Sequence, residues 1–553
     1  MQTEREKDMN AVERYGRIQI PAPEGARCLW VQTPAGARER IPTFLNQEYD
    51  FVYDRHGYET QTPRGEAYRC ARYTPEQEGE YLVYDEAGAQ VEAFVCTPSD
   101  NPGYVQVSRR DPRYFAFSDG SSYVPIGLNL VGCGYDRQPA GNEHFRASED
   151  VRTTGMIQWR RWLAQMHEGG ANYARIWLSN RYTQARTEIM GVHDSAALAR
   201  LDKVLDLARQ YGIRVKLCFE HFRTFTDAGH FAYKRVVDPD TGRQLLDVET
   251  WFREERWNRR WLEDIAPYLD RYQNDPVVFA WELWNEIDCG DACFETVERF
   301  TRRMLPEVKR RSPKNLVVNS LGSMDEACKQ QVQDAFAAIP DMDFLQVLRY
   351  LDQGAPLEIC REDPVAFSQD AVQRCSTGKK PLILTETGAV NDRHVGPFRF
   401  YSADHGGRIF DDVTYPAFFC GAAGSGHIWH WDCYVDAQNL WPHFRPLHDA
   451  LEGVQVDAEN FQPDSIPDER AWILELKGDN TTLVLVRSRA DRWDFVLRDG
   501  KEPPVLAGID LPLRGKAEVF WLPGDGGACE PSAQGWTLSG FRRGCIVKIQ
   551  NEK

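Results

Sequence analysis

The stretch FAWELWNEIDCG, residues 279–290, ends an aromatic, apolar run with two glutamates and an asparagine. A carboxylate is costly to bury without a partner, so Glu282, Asn285 and Glu286 need a reason to stand there. The run VVFAWELW (277–284) has the length and the β-branched and aromatic content of a buried strand, and the helical pattern CFETVERFTRRMLPEVKRR follows it. A strand followed by a helix is one βα unit of a parallel sheet.

Seven further units of the same kind fill the middle of the chain. In each, a short apolar run precedes a segment with helical spacing, and one such segment, ALARLDKVLDLARQYG, ends at Gly212 as a helix C-cap. The seven apolar runs are VPIGLNL (124–130), ANYARIWL (171–178), IRVKLCFE (213–220), NLVVNSL (315–321), FLQVLRY (344–350), PLILTET (381–387) and GHIWHWD (426–432). Eight βα units fit a closed (β/α)8 TIM barrel, in which active sites lie at the C-terminal ends of the strands.

The two segments that flank this region have a different sequence pattern. Residues 17–108 and 468–550 consist of short alternating stretches punctuated by Gly, Pro, Asp and Asn, a pattern typical of β-sandwiches. A chain of 553 residues is also too long for one hydrophobic core. We therefore expect an α/β protein in three parts: an N-terminal β-sandwich (1–108), a catalytic (β/α)8 barrel (109–455) and a C-terminal β-sandwich (456–553).

Charge and composition exclude several classes of partner. The net charge of −17 and the pI near 5.3 disfavour nucleic acid and anionic membranes, and no apolar run approaches the roughly 18 residues of a membrane helix. The first twenty residues have no apolar signal-peptide core, so we expect a cytoplasmic protein. A homo-oligomer stays open. Its scattered cysteines should be mostly reduced and buried. Cys289 and Cys293 could bind a metal ion only with a second pair of ligands, which the sequence does not offer nearby. We therefore expect neither a metal nor a cofactor.

Polar and aromatic side chains gather where the predicted strands end. In chain order they are Arg175, Trp177, Glu220, His221, Asn285, Glu286, Arg349, Tyr350, Glu386, Trp429, His430, Trp431 and Asp432. Two glutamates on separate strands, ringed by aromatic residues, suggest glycoside hydrolysis. That chemistry needs one carboxylic acid to protonate the departing oxygen and one carboxylate to attack or to activate water. Aromatic faces offer a platform for the C–H surface of a sugar ring.

Two motifs carry a more specific resemblance. WELWNE at the fourth predicted strand, together with LTETG at the seventh, resembles clan A of the retaining glycoside hydrolases, in particular family 5 and its cellulase and mannanase relatives. The resemblance implies that Glu286 is the acid/base, that Glu386 is the nucleophile and that Asn285 holds the substrate 2-hydroxyl. The stretch NYARIW is similar to the clan's second strand, which implies that Arg175 keeps the nucleophile ionised.

The resemblance extends over most of the chain but departs from the family pattern at one point. QVLRY resembles the family's sixth-strand segment; it keeps Tyr350, but Leu348 stands where histidine is commoner. The passage from RYTPEQEGEYLVYD to SSYVPIGLNL is similar to the N-terminal sandwich and junction of bacterial family-5-like enzymes. A C-terminal β-domain is a common appendage of such enzymes.

Several site residues have two possible roles. His221 is either a sugar contact or a core histidine, and Arg175 is either an active-site residue or the buried partner of Glu282. Strand parity places Glu282 one layer below Glu286, which favours a paired structural carboxylate over a catalyst. Of Trp429 and Trp431, one should be the sugar platform and the other packing, and we favour Trp431. The loops 131–152 and 221–250, with GNEHFR and HFRTF, should shape the pocket.

These observations together predict a retaining β-glycosidase whose partner is a carbohydrate. It would hydrolyse β-linked oligosaccharides or glycosides through a covalent glycosyl-enzyme on Glu386. A cytoplasmic location favours exo-action, because polymers do not enter the cell. Two alternatives stay open, namely an endo-acting β-glucanase or mannanase of the same fold and a catalytically inactive carbohydrate-binding barrel.

Overall fold

The structure is a computed structural model that describes residues 10–133, 154–180, 182–187, 191–221, 240–242, 248–394 and 396–552. The loop expected to carry GNEHFR lies outside these residues, and so does HFRTF apart from His221. The role of those loops in shaping the pocket therefore stays a prediction. Within the described residues, no helix has both the length and the apolar character needed to cross a bilayer.

Eight strands in two sheets form the N-terminal part. They are β1 (Asn10–Glu13), β2 (Ile18–Pro21), β3 (Cys28–Gln32), β4 (Arg38–Pro42), β5 (Phe44–Tyr53), β6 (Glu59–Tyr73), β7 (Gly79–Tyr84) and β8 (Gln90–Thr97). One sheet has the order β1-β8-β7-β3-β4 and the other the order β2-β6-β5. Side chains of both sheets form one buried cluster that includes Ile20, Val31 and Phe94. The assignment of this part as a β-sandwich with a boundary at residue 108 stays a prediction.

A small antiparallel sheet closes the lower end of the central region. It consists of β9 (Val105–Val107), β10 (Phe115–Phe117) and β11 (Ser122–Tyr123). The Phe115 ring packs edge-on against Phe279 and Phe344, which stand at or just before the N-terminal ends of two strands of the central region. This contact fills the end of the sheet opposite to the expected active site.

The central region is a (β/α)8 barrel, as the eight predicted units require. Its strands are β12 (Gly127–Asn129), β13 (Tyr173–Trp177), β14 (Arg214–His221), β15 (Val278–Asn285), β16 (Leu316–Val318), β17 (Leu345–Leu348) and β18 (Leu382–Glu386). Strands β12 to β16 pair in parallel in chain order, and so do β17 and β18. The Asp343 amide donates to the Val317 carbonyl at 3.1 Å, which links the two sets.

The eighth strand is shorter than expected. We predicted a strand over residues 426–432, but only Ile428 forms bridges, one to Leu128 and one to Thr387, and these close the barrel. The backbone at Gly426 lies against Val413, where a Cβ on residue 426 would meet the Val413 carbonyl oxygen at 2.0 Å. Beyond the bridge the chain turns into a π-helical segment, Trp431–Asp436, so this end of the prediction was wrong.

The barrel helices lie outside the strands. Their bounds are α1 (Met156–Gly169), α2 (Ser195–Gln210), α3 (Val248–Arg253), α4 (Glu255–Tyr272), α5 (Phe294–Arg311), α6 (Lys329–Ala337), α7 (Pro364–Cys375), α8 (Arg408–Thr414), α9 (Pro416–Phe419) and α10 (Arg445–Leu451). Helix α2 begins where the Asp194 carboxylate accepts from the Ala196 amide at 2.8 Å. It ends at Tyr211 as the cap, followed by Gly212 at φ 68°, the left-handed conformation that glycine favours.

The C-terminal part also consists of two sheets, and both are antiparallel. Its strands are β19 (Gln462–Ser465), β20 (Ala471–Lys477), β21 (Thr481–Ser488), β22 (Ile509–Leu511), β23 (Gly515–Trp521), β24 (Ala528–Pro531), β25 (Trp536–Ser539) and β26 (Gly544–Asn551). The larger sheet has the order β19-β20-β21-β26-β23 and the smaller the order β22-β25-β24. Trp493 packs against Phe398 and donates to the Glu362 carbonyl at 2.8 Å, which attaches this part to the barrel. Its sandwich class and its boundary at residue 456 stay predictions.

Candidate active site

The C-terminal ends of four barrel strands bring the predicted site residues together. Arg175 comes from β13, Asn285 and Glu286 from the end of β15, Tyr350 from just beyond β17 and Glu386 from the end of β18. All except Glu286 are at most 5% exposed. Because the strands are parallel and closed, side chains that are far apart in sequence meet at one end of the barrel.

Glu386 accepts a hydrogen bond on each of its carboxylate oxygens. Arg175 donates from Nη1 to its Oε1, and the Tyr350 hydroxyl donates to its Oε2 at 2.7 Å. Its own carbonyl accepts from the Arg349 amide at 3.0 Å, which keeps the end of β18 on β17. Burial raises the pKa of Tyr350 well above its ordinary value, so this hydroxyl stays protonated and keeps donating. Both carboxylate oxygens of Glu386 are therefore fixed in direction.

Glu286 is placed by an unusual backbone conformation. It is partly buried and has φ 51° and ψ 52°, the left-handed region, where a residue other than glycine costs about 1–2 kcal/mol. Its amide donates to the Ser320 hydroxyl at 3.1 Å, and the next amide, of Ile287, donates to the Ser320 carbonyl at 3.1 Å. Ser320 thus fixes the turn that ends β15. Among the described residues, no group donates a hydrogen bond to the Glu286 carboxylate.

The two carboxyls differ in how they hold a proton. Burial, the charge of Glu386 and the charge of Asp288 raise the pKa of Glu286 to about 8. Burial also raises the pKa of Glu386, although the Arg175 charge and the Tyr350 hydroxyl oppose the shift. Arg175 does lower the pKa of Glu386, as expected, but removal from water outweighs the two donors, so the net shift is upward. When the two carboxyls share a single proton, that proton lies on Glu286, because Arg175 and Tyr350 stabilise the ionised form of Glu386.

Arg175 fills both of the roles considered for it. Its Nε and Nη2 donate to Glu282 at 2.7 and 2.9 Å, while Nη1 reaches Glu386, as described above. Nη2 also donates to Asn285 Oδ1 at 2.6 Å. That bond leaves the Asn285 amide NH2 without an acceptor among the described residues. The NH2 group can therefore donate a hydrogen bond to a ligand hydroxyl. Glu282 is confirmed as a paired structural carboxylate, and its pKa falls to about 2 because the Arg175 and Lys216 charges outweigh burial.

The aromatic residues form one connected group beside the carboxyls. His221 stacks on Trp177 with ring centroids 4.7 Å apart, and its Nδ1 lies 2.7 Å from the Ser179 hydroxyl. Trp429 lies 5.1 Å from Trp177, whereas Trp431 is 2% exposed and packs edge-on against Trp162 of α1. Trp431 therefore contacts the outer helix, and Trp429 contacts the Trp177 ring on which His221 stacks. Which of the two is a sugar platform stays a prediction.

The position of the missing histidine is apolar. Leu348 is buried, pairs in register with Glu386 and offers no polar atom to it. His394, from the loop after β18, instead approaches Tyr350 edge-on at 5.9 Å and pairs through Nδ1 with Asp352 at 2.7 Å. Sequence reasoning overlooked His394, because its segment has no strand pattern.

Some polar residues near the site were not identified from the sequence, and others pair with residues away from the two glutamates. Lys216 and Gln346 lie below the site and contact Glu282, and a lysine inside the run IRVKLCFE was the only signal in the sequence. Glu220 pairs with Arg186, and Arg349 pairs with Asp370 at 2.5 Å. Cys293 contacts Glu249 and Thr296, and all fourteen cysteines are free thiols.

Comparisons with known proteins agree with this geometry. Residues 134–403 match the family model of cellulase, glycosyl hydrolase family 5. Mannan endo-1,4-beta-mannosidase 3 of Oryza sativa subsp. japonica is 32% identical over 175 residues, which are 30% of this chain and 36% of that protein. Mannan endo-1,4-beta-mannosidase 1 of Arabidopsis thaliana is 24% identical over 348 residues, which are 57% of this chain and 80% of that protein.

A solved structure extends the likeness of fold to the flanking parts. The crystal structure of a candidate glycoside hydrolase from Bacteroides vulgatus ATCC 8482 superimposes with a TM-score of 0.56 at 15% identity, over 98% of this chain and 100% of that one. In sequence, the chain spans about a third of the length of the first two curated relatives, at 36% and 35%. Residues 134–403 are therefore similar to a glycoside hydrolase domain of family 5, and this similarity agrees with the closed barrel.

Proposed function

We propose that this chain is a retaining β-glycosidase that cleaves β-1,4-linked mannosides. The observation that carries the proposal is the contrast between the two carboxyls at the barrel mouth. Glu386 accepts from Arg175 and Tyr350, while Glu286 has a raised pKa and no donor among the described residues. One carboxyl set to hold a negative charge and one set to hold a proton are what double displacement at a sugar carbon needs.

Each group has a defined part in the proposed reaction. Glu286 gives its proton to the glycosidic oxygen while Glu386 attacks the anomeric carbon, and the leaving sugar departs with the proton. The resulting glycosyl ester on Glu386 is hydrolysed by water, from which Glu286 takes a proton, so that the anomeric configuration is retained. Arg175 and Tyr350 direct the lone pairs of Glu386. The Asn285 amide donates to the 2-hydroxyl.

The sugar class and the mode of cleavage follow from the relatives rather than from the site. The relatives from Oryza sativa and Arabidopsis thaliana are named mannan endo-1,4-beta-mannosidases, and they support β-1,4-mannan or manno-oligosaccharides as the substrate. The same names favour endo-action. Exo-action was our first expectation, and it rests on a cytoplasmic location, for which only the sequence argues.

A substrate panel tests the proposal. The wild type should release p-nitrophenol from the β-mannoside faster than from the β-glucoside, β-galactoside or β-xyloside, and it should cut mannohexaose internally. Release of mannose alone would establish exo-action. Glu386→Ala and Glu286→Ala serve as matched controls. A wild type that binds manno-oligosaccharides without hydrolysing them is a carbohydrate-binding barrel and contradicts the proposal.

A further inference from the structure

A layer of buried charge lies directly beneath the two candidate glutamates. Lys216 on β14, Arg175 on β13 and Glu282 on β15 are all fully buried. Arg175 donates two hydrogen bonds to Glu282, and Lys216 Nζ lies 3.3 Å from Glu282 Oε2 on the other side. Glu282 therefore contacts two cations, and only one of them, Arg175, also contacts Glu386.

The charges of this layer balance only if Lys216 is included. Arg175 and Lys216 carry two positive charges, and Glu282 and Glu386 carry two negative charges when Glu286 holds its proton. Charges removed from water must be paired, because an unpaired one is strongly destabilising. Without Lys216, the single guanidinium of Arg175 would face two buried carboxylates.

We propose that Lys216 is a positioning residue that keeps Arg175 available to Glu386 by neutralising Glu282 from below. The inference deepens the proposed function and rests on it, since it concerns the ionisation of the same nucleophile. Gln346 supports the arrangement: it accepts from Lys216 Nζ and donates to Glu282 Oε1 at 3.2 Å. Lys216 thus acts on Glu386 through two intermediate side chains and touches neither candidate glutamate.

No neighbouring group in the described part of the barrel can replace the lysine charge. The other titratable side chains facing this layer are Tyr173, Cys218, Tyr350 and His427. Burial raises the pKa values of Tyr173, Cys218 and Tyr350 well above their ordinary ranges, and burial lowers the pKa of His427 to about 3. All four stay neutral near pH 7. The balance therefore depends on Lys216, Arg175 and the three glutamates.

The test is the pH dependence of kcat/KM in Lys216→Met and in the double variant Lys216→Met with Glu282→Gln. Ionised Glu386 is the reactive form, so the acidic limb of the profile reports its pKa. Lys216→Met should move that limb to higher pH, because the uncompensated charge of Glu282 then competes for the Arg175 guanidinium and repels the charge on Glu386. The double variant removes one positive and one negative charge. The acidic limb of its kcat/KM profile should return to the wild-type pH or move to a lower pH.

The thermal midpoint of unfolding is a second readout that does not depend on turnover. The double variant should unfold at a higher temperature than Lys216→Met, because it leaves no surplus carboxylate in the core. An unmoved acidic limb in an active Lys216→Met enzyme overturns the inference and leaves the proposed function intact. A double variant that is no more stable than the single one also overturns it. A wild type that hydrolyses no glycoside overturns both.

Discussion

Arg175 donates one hydrogen bond to Glu386 from the same guanidinium that holds Glu282 in two others. The second, fourth and seventh strands of the barrel are thereby joined through one side chain that is fully buried. The nucleophile candidate is thus fixed by the barrel interior rather than by a surface loop. Such placement on rigid strands gives a carboxylate the fixed direction that an attack on a sugar carbon requires.

The hydroxyl of Tyr350 should matter for rate more than for stability. Tyr350→Phe removes the 2.7 Å bond to Glu386, and bonds to charged groups are worth about 1.5–3 kcal/mol. We expect kcat/KM to fall roughly 10- to 100-fold on the best aryl glycoside. Tyr272→Phe is the matched control, because Tyr272 is also buried and donates to Asp202 at 2.7 Å, away from the site. Equal losses of activity in both variants would count against a direct role.

Leaving-group dependence separates the two glutamates. Glu286→Ala should slow substrates with poor leaving groups far more than activated aryl glycosides, because general-acid assistance contributes roughly 10²–10⁴-fold. Azide should restore turnover of this variant and yield a β-glycosyl azide. Glu386→Ala should lose activity on both substrate types, and any azide product there should be the opposite anomer. If Glu286→Ala were equally slow on every leaving group, the acid/base would lie elsewhere.

The raised pKa of Glu286 should also appear in stability. The folded protein keeps this carboxyl protonated up to about pH 8, whereas the unfolded chain releases the proton near the ordinary glutamate value. The stabilisation is therefore complete at low pH and is lost as pH rises through about 8. Glu286→Gln should remove this dependence and gain thermal stability relative to the wild type between pH 6 and 9. A stability difference that does not vary with pH would contradict the assignment.

The left-handed backbone at Glu286 predicts an unusual order of variants. Glu286→Gly should be more stable than Glu286→Ala by about 1 kcal/mol, because glycine adopts φ 51° without a Cβ clash. Glu298 within α5 is the matched position, where glycine should instead be less stable than alanine by about the same amount. Chemical denaturation of the four variants measures both differences. The same sign at both positions would show that the conformation at Glu286 carries no strain.

The sequence predicted the parts of the fold and site that depend on local patterns. Seven barrel strands appear where period and composition indicated them, because each apolar run is flanked by its own helix and turn signals. Glu286 and Glu386 could be identified because each ends such a run. The eighth strand was overestimated, since nothing in GHIWHWD reveals how closely Gly426 approaches Val413.

The charge layer below the site could not be predicted in the same way. Lys216 lies within an apolar run, and its partner Glu282 stands 66 positions later in the sequence, so only the barrel's closure reveals the pair. A sequence pattern could not predict whether the pKa of Glu386 is raised or lowered, because burial raises it and two hydrogen-bond donors lower it. Pairing across strands and removal from water are properties of the assembled barrel.

Trapping of the covalent intermediate tests the central claim most directly. A 2-deoxy-2-fluoro-β-mannosyl fluoride should inactivate the wild type. The 2-fluorine slows both formation and hydrolysis of the glycosyl ester, whereas the good fluoride leaving group speeds only its formation, so the ester accumulates. Mass spectrometry of the intact protein should show one added fluorosugar, and the digest should place it on Glu386. Glu386→Gln is the control and should stay unlabelled. A label on any other residue, or turnover with inversion and no label, would contradict the account.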